Sequence, residues 1–211
     1  MAGKAKVAVL ISGGGTNLQA IIDGIASGKL THTVIDLVVS NRAGAFGIER
    51  AKSAGIETAV LAGAEYRGNK PVFEAELLRL LREHEIELVV LAGFMAILSA
   101  DFIQRCPCRI VNIHPSLIPA FSGEGFYGLR VHQAAIAAGV KISGATVHLV
   151  NEVCDGGQIL AQETVPVLET DTPEVLQERI LHEVEHVIFP RTIEQLCAEI
   201  VNQRQRTAAA H

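Results

Sequence analysis

Short apolar runs alternate with helix-length amphipathic stretches through the first half of the chain. Lys6 to Ile11 reads as a buried strand, and a helix is expected from about Asn17 to Ala26. Val34 to Ser40 and Ala45 to Ala54 repeat the strand-then-helix pattern. A short strand near Thr58 to Leu61, a helix from about Pro71 to Glu85 and the apolar strand Leu88 to Ala92 follow. Repeated βα units of this kind imply a parallel sheet covered by helices on both faces.

The second half changes character. Arg109-Ile110-Val111 opens a strand, a short helix is expected near His132 to Ala138, and Ala145–Val150 and Ile159–Val167 read as strands. The last two are joined by a tight Asp-Gly-Gly loop, so they should run antiparallel and make the sheet mixed. Thr172-Pro173-Glu174 starts the last long helix with a capping hydroxyl, a proline at the first helical position and an acid in the first turn. The final Arg206 to His211 reads as a frayed tail outside the fold. The pattern predicts an α/β protein with a doubly wound, mostly parallel sheet of about seven strands and an antiparallel portion in the C-terminal half. It reads as one domain over 1–211, with a nucleotide- or phosphate-binding half up to about residue 100 and a catalytic half from about 101 to 200.

Bulk properties narrow the function. At 211 residues with 49% hydrophobic side chains, the chain has the material for one substantial core. A net charge of −5 without a basic stripe argues against nucleic-acid partners. No apolar run reaches membrane-spanning length, and Met1-Ala2-Gly3-Lys4 leads into a strand rather than a signal peptide. Cys106, Cys108, Cys154 and Cys197 lack zinc-site spacing and form no Cys-x-x-Cys pair, so all four are expected as reduced thiols in a cytoplasmic protein. A monomer or homodimer is expected.

Chemistry concentrates where the strand from Arg109 ends. Alternation along an extended chain places Asn112 and His114 on one face, and Pro115 keeps His114 out of helical angles. A carboxamide donor beside an imidazole suits a reaction in which oxygen becomes negative while a proton moves, as in acyl transfer. Alone, the pair reads first as an ordinary strand end whose polar residues cap a turn. Pro115-Ser116-Leu117-Ile118-Pro119 adds a stiff bend beside it. Asp155 follows the strand ending at Val150, and Gly156-Gly157 after it allow a close backbone turn. Ser12-Gly13-Gly14-Gly15-Thr16-Asn17 joins the first strand to the first helix, where backbone N–H groups bind phosphate. It is no P-loop, because no Gly-Lys-Ser/Thr follows. A dinucleotide site and a single phosphate held by Gly15, Thr16 and Asn17 both remain open, with Arg42 compatible with NADP.

The run Asn112 to Pro119 resembles the Asn-x-His-x-Ser-Leu-Leu-Pro signature of folate-dependent formyltransferases, with Ile118 in place of the second leucine. Val9 to Ile21 and Leu91-Ala92-Gly93-Phe94-Met95-x-Ile97-Leu98 are similar to segments of the phosphoribosylglycinamide formyltransferases, and the likeness extends from Val7 to about Leu196. This resemblance implies a Rossmann-like fold and 10-formyltetrahydrofolate and glycinamide ribonucleotide as substrates. It implies Asn112, His114 and Asp155 as catalytic, with His148, Ser116 and Gly123 supporting. Gly15, Thr16, Asn17, His182 and Glu185 would contact the ribonucleotide. Lys70, Met95, Ala96, Ile97, Leu98, Asn112, Asn151, Glu152, Val153, Cys154 and Asp155 would contact the folate.

Departures accompany the likeness. Ala96 replaces a usual arginine, and Ser122 to Val131 is longer than usual, its glycines marking a mobile lid. One extra residue lies between Arg179 and Glu185. In the implied mechanism Asn112 and His114 donate to an oxyanion, and Asp155 raises the pKa of His114. His182-Glu183-Val184-Glu185-His186 also fits a zinc-protease pattern, but no third ligand follows at a recognisable spacing. No metal is expected. The rival readings are formyltetrahydrofolate hydrolase, methionyl-tRNA formyltransferase, an NADP-dependent reductase and a non-catalytic folate- or nucleotide-binding module.

Overall fold

Buried strands with the expected boundaries dominate the computed structural model, which describes residues 3–63 and 65–209. The elements run β1 (Ala5–Ile11), α1 (Thr16–Ala26), β2 (Thr33–Ser40), α2 (Phe46–Ser53), β3 (Glu57–Val60), α3 (Lys70–Glu83), β4 (Leu88–Leu91) and α4 (Ala100–Arg105). There follow β5 (Arg109–His114), α5 (Leu129–Ala137), β6 (Ile142–Leu149), β7 (Ile159–Pro166), α6 (Pro173–Ile180), a π-helical turn (Leu181–Glu185) and α7 (His186–Ala209). The strands form a seven-stranded sheet in the order β3-β2-β1-β4-β5-β6-β7.

The chain divides into two compact units, one formed up to Ile110 together with Ile193 onward, the other by Val111–Thr192. In the first, β1 pairs in parallel with both β2 and β4, and β2 pairs in parallel with β3. Val7 to Ile11 and Leu88 to Val90 are fully buried, as strands covered on both faces must be. In the second unit β6 pairs antiparallel with β5 and with β7, giving the expected mixed sheet.

Several local features differ from the sequence-based expectation, among them the start of β6 at Ile142 rather than Ala145. Residues 100–105 form α4, unpredicted because so short a segment carries little periodicity, although the Ser99 hydroxyl caps it by accepting from the Phe102 N–H. α5 begins at Leu129, three residues before the expected start at His132. The terminal residues read as a frayed tail are helical through Ala209, because α7 continues its ladder past the last apolar position. Ala210 and His211 lie outside the described residues.

Glu194 on α7 ties that helix to the approach to β2. Its carboxylate accepts from the N–H groups of Thr31 and His32, the hydroxyls of Thr31 and Thr33, and His32 Nδ1. Burial raises its carboxyl pKa, but the bonds from Thr33, His32 and Thr31 together hold it below the usual range. Its contribution is therefore complete above about pH 4.5, the unfolded value, and is lost as pH falls through the depressed folded value. Glu194→Ala is expected to cost about 2–3 kcal/mol at pH 7, because several donors lose one charged acceptor. Urea denaturation of the two proteins at pH 7 and pH 3 checks both the loss and its narrowing in acid.

Candidate active site

Antiparallel register brings the catalytic candidates together. Asn112 on β5 lies opposite His148 on β6, and His114 lies opposite Thr146. Alternation puts both pairs on one face. The register of β6 against β7 shifts between Val147 and His148, so a bulge adjoins His148. Asn112 Nδ2 sits 3.1 Å from His148 Nε2. The other His148 nitrogen, Nδ1, is 2.9 Å from the Leu149 carbonyl. A carbonyl only accepts, so Nδ1 carries the proton and Nε2 accepts from the Asn112 amide. That bond uses one amide hydrogen of Asn112 and leaves the second for another acceptor.

The same reasoning sets the His114 tautomer. Its Nε2 is 2.9 Å from the Phe121 carbonyl and so bears the proton. Its Nδ1, the nitrogen that can take up a further proton, is 3.5 Å from Asp155 Oδ2. Asp155 Oδ1 is 3.6 Å from His148 Nε2. One carboxylate therefore faces both imidazoles. Oδ2 also accepts from the Gly123 N–H at 2.8 Å, which anchors the start of the segment expected to act as a lid.

Burial decides the protonation of this cluster. His114 is 5% exposed, and its desolvation lowers its pKa below the ordinary imidazole value. Asp155 pushes the other way, as the sequence reading reasoned, but does not overcome burial. The expected net rise is thus corrected to a net fall. Burial raises the Asp155 carboxyl, but the facing His148 and His114 rings and the Gly123 N–H outweigh it and hold it below the ordinary carboxylate value. The resting pair is a carboxylate beside a neutral imidazole.

The backbone makes this arrangement specific. Asp155 itself adopts φ 54°, a left-handed conformation. A Cβ on Gly157 would lie 1.7 Å from the Leu149 carbonyl oxygen, so only glycine fits there. Asn151 shapes the same loop by accepting from the Val153 N–H and donating to the Gly156 carbonyl. Glu152, Val153 and Cys154 lie on it as exposed residues. Ser116 acts on the site through backbone carbonyls. Its hydroxyl donates to the Ala120 carbonyl, holding the turn that presents the Phe121 carbonyl to His114.

Two residues of this framework escaped the sequence reading. Thr146 Oγ1 donates to the Ser116 carbonyl and accepts from the Ile118 N–H and from Gln162 Nε2. Gln162 also donates to the Ile118 carbonyl. Their signal was positional: Thr146 is two residues from His148 on β6, and Gln162 pairs with it across β7.

A second cluster gathers around the glycine loop in the other unit. Gly15 has φ 71°, and a Cβ there would meet Gly47 Cα at 2.7 Å. The Gly13 carbonyl accepts from the Gly47 N–H, and the Gly14 carbonyl from Arg50 Nε. With those carbonyls engaged, and with no side-chain cap and no acid in its first turn, the start of α1 at Thr16 and Asn17 suits an anion. Ser12 donates to Asn41 and accepts from the Met95 N–H, joining this loop to the 91–98 segment. Lys70, Ala96 and Ile97 line a cavity of about 550 Å³ with Arg42, Arg67 and Tyr66. Leu98 is buried beyond them.

The sequence model for formyl transferases matches residues 5–193. The chain belongs to the formyl transferase family. It is 40% identical over 202 residues to a protein of Arabidopsis thaliana named phosphoribosylglycinamide formyltransferase, chloroplastic, covering 96% of this chain and 68% of that one. It is 44% identical over 198 residues to the trifunctional purine biosynthetic protein adenosine-3 of Gallus gallus, of which it spans 19%. The crystal structure of glycinamide ribonucleotide transformylase 1 from Symbiobacterium toebii superposes with a TM-score of 0.85 at 42% identity, covering 93% of this chain and 89% of that one. No helix among the described residues is long and apolar enough to cross a membrane.

The segment of this formyl transferase in which one extra residue is expected departs from regular α-helix. Leu181–Glu185 form a single π-helical turn between α6 and α7. His182 is on its outer side, 3.1 Å from Glu178, while Glu185 is buried. The rings of His182 and His186 meet edge to face at 5.1 Å. Among the described residues no group of three His, Cys, Asp or Glu side chains forms a metal-ligand set.

His132 on α5 is fully buried, and neither ring nitrogen has a hydrogen-bond partner. Burial, aided by His114, holds its pKa down to about 4. The unfolded chain therefore binds more protons than the folded one between about pH 6.5 and 4, and stability falls as pH drops through that window. His132→Leu is expected to flatten this decline without reversing it, since His114 titrates in the same direction. Denaturant midpoints measured at pH 7 and pH 5 for both proteins provide the check.

Proposed function

We propose that this formyl transferase moves a formyl group from 10-formyltetrahydrofolate to the amine of glycinamide ribonucleotide. The observation that carries the chemistry is one carboxylate, Asp155, facing His114 Nδ1 and His148 Nε2 beside the Asn112 amide. The choice of acceptor rests on the likeness to proteins named for that reaction, at 40% identity across 96% of the chain. Family membership favours formyl transfer over a nicotinamide-dependent reductase.

The roles follow from the tautomers. The ribonucleotide amine attacks the formyl carbon, and the carbonyl oxygen becomes an oxyanion. Asn112 meets it with the amide hydrogen that His148 does not use. His114 Nδ1, neutral at rest, takes the proton released by the attacking amine. The imidazolium so formed gains the Asp155 carboxylate as its counter-ion, and the proton then passes to the departing folate nitrogen. The amine loses one proton and the folate nitrogen gains one, so no net proton is consumed. Metal assistance is not required in this scheme, because hydrogen bonds polarise the formyl oxygen.

Substrate recognition is assigned along the same lines. Gly15, Thr16 and Asn17 take the ribonucleotide phosphate, and His182 and Glu185 its ribose side. Lys70, Met95, Ala96, Ile97 and Leu98, with the 151–155 loop, take the folate. Ala96 contributes backbone contacts only. Four free thiols fit a reducing compartment, which we take as the cytoplasm.

Following folate deformylation by absorbance, with and without glycinamide ribonucleotide, tests the reading. Release that requires the ribonucleotide is expected; equal release in its absence would identify a hydrolase. Asn112→Ala should lower kcat by about 10²–10³, the usual cost of one oxyanion donor. Asp155→Asn should keep the fold, judged by circular dichroism, and lose turnover by a comparable or larger factor. Because the His114 pKa is depressed, the acid limb of kcat/KM should lie below pH 6.5.

A further inference from the structure

The connection from β4 to α4, Ala92 to Ser99, has no regular secondary structure and carries Met95, Ala96, Ile97 and Leu98. Its near end is tied to β1 and to Ser12 just beyond that strand. The Ala92 N–H donates to the Leu10 carbonyl, the Gly93 carbonyl accepts from the Ser12 N–H, and the Met95 N–H donates to Ser12 Oγ. Its far end is held from α3 by Glu74. There Oε1 accepts from the Ser99 N–H at 2.7 Å, and Oε2 accepts from the Ser99 hydroxyl at 2.6 Å. One residue earlier on α3, the Phe73 ring stacks against Phe94 with centroids 6.3 Å apart.

Helix capping alone does not account for Glu74. Ser99 Oγ already caps α4 by accepting from the Phe102 N–H. In a capping box, the N–H of the capping residue itself is taken by an acid or amide three residues on in the same helix. Phe102 occupies that position here, and Glu74 supplies the acceptor from a different helix. The end of the connection is thereby fixed to α3. Glu74 is 7% exposed, so its carboxylate is a desolvated acceptor held by packing. Lys70, one turn before it, lies 3.9 Å from Oε1 and is half-exposed, so that ion pair adds little.

The segment held in this way leaves apolar side chains uncovered. Met95 is 42% and Ile97 58% exposed, and Ala96 and Ile97 share the cavity with Glu74 and Lys70. We propose that Glu74 is a positioning residue for folate binding, acting through the Ser99 N–H to keep the 95–98 segment in its binding arrangement. This rests on the reading that the segment takes the folate. A segment already ordered in the free protein loses little conformational freedom when ligand arrives. Without the Glu74 acceptor, the Ser99 N–H is unpaired and the far end of the segment is released.

Three variants of the full chain separate positioning from structural support. Glu74→Met keeps an unbranched, helix-forming side chain but offers no oxygen acceptor. Glu74→Gln restores an acceptor for the Ser99 N–H. Ser99→Ala keeps that N–H and removes the α4 cap. Each is titrated by calorimetry with tetrahydrofolate under argon, assayed for the KM of both substrates, and melted. Glu74→Met should weaken tetrahydrofolate binding and raise the KM for 10-formyltetrahydrofolate about tenfold, with the ribonucleotide KM changed by less than about twofold. Glu74→Gln should return both folate constants to within about threefold of wild type. Ser99→Ala should melt earlier yet bind tetrahydrofolate as the wild type does, a split that a merely structural role would not give. Unchanged folate constants in Glu74→Met, or a ribonucleotide KM that rises with them, would overturn the proposal. So would a loss of about tenfold in Glu74→Gln or Ser99→Ala, which also decides the matter if Glu74→Met does not fold. Wild-type protein that does not bind tetrahydrofolate would instead remove the folate reading itself.

Discussion

The Asp155 carboxylate is the interaction around which the polar cluster of the second unit is organised. Its two oxygens face His114 and His148, and the Gly123 N–H holds one of them in place. The Gly123 N–H is the donor that reaches this acid at rest, and a proton arriving on either facing ring would find a carboxylate counter-ion beside it. The left-handed backbone at Asp155 and the contact that excludes any side chain at Gly157 fix where it sits. Asn112 depends on the same point, since the His148 ring that orients its amide also faces this carboxylate. Moving the acid would leave the tautomers to their backbone carbonyls, but would free the anchored loop and take away the charge that both rings face.

Strand pairing supplies the rest of the geometry. Antiparallel register sets Asn112 against His148 and His114 against Thr146, so two rows of side chains meet over a short stretch of sheet. Thr146 and Gln162 then bind the 116–118 backbone, and Ser116 holds the turn whose Phe121 carbonyl fixes the proton on His114 Nε2. The nitrogen of His114 left free to accept a proton is thus selected by a backbone carbonyl. Rigid polar pre-organisation of this kind lets donors act without rearranging as charge develops.

Much of this was legible in the chain. The alternating βα pattern announced a parallel sheet, and the Asp-Gly-Gly link between two strands announced the antiparallel turn. Asn112, His114, His148 and Asp155 stood out because their residue types suit proton transfer and because the surrounding motif resembles one known family. The short α4 was not legible, since six residues span too little of the helical period. The helical C-terminus was missed because small and polar residues mimic a tail. The π-helical turn at Leu181–Glu185 was not legible either, because its residues keep a helical pattern and only the backbone shows the wider turn.

The sequence by itself determined which residues bring chemistry, where strands and helices alternate, and which side of β5 carries the polar pair. Local rules suffice for those, because φ/ψ preference and side-chain periodicity act over a few residues. Tertiary structure alone decided the protonation of His114, where burial outweighs a neighbouring carboxylate, and the partners that choose each tautomer. It alone brought Thr146 and Gln162 to the 116–118 backbone. Desolvation and hydrogen bonding depend on atoms far apart in the chain, and no run of neighbouring residues encodes their sum.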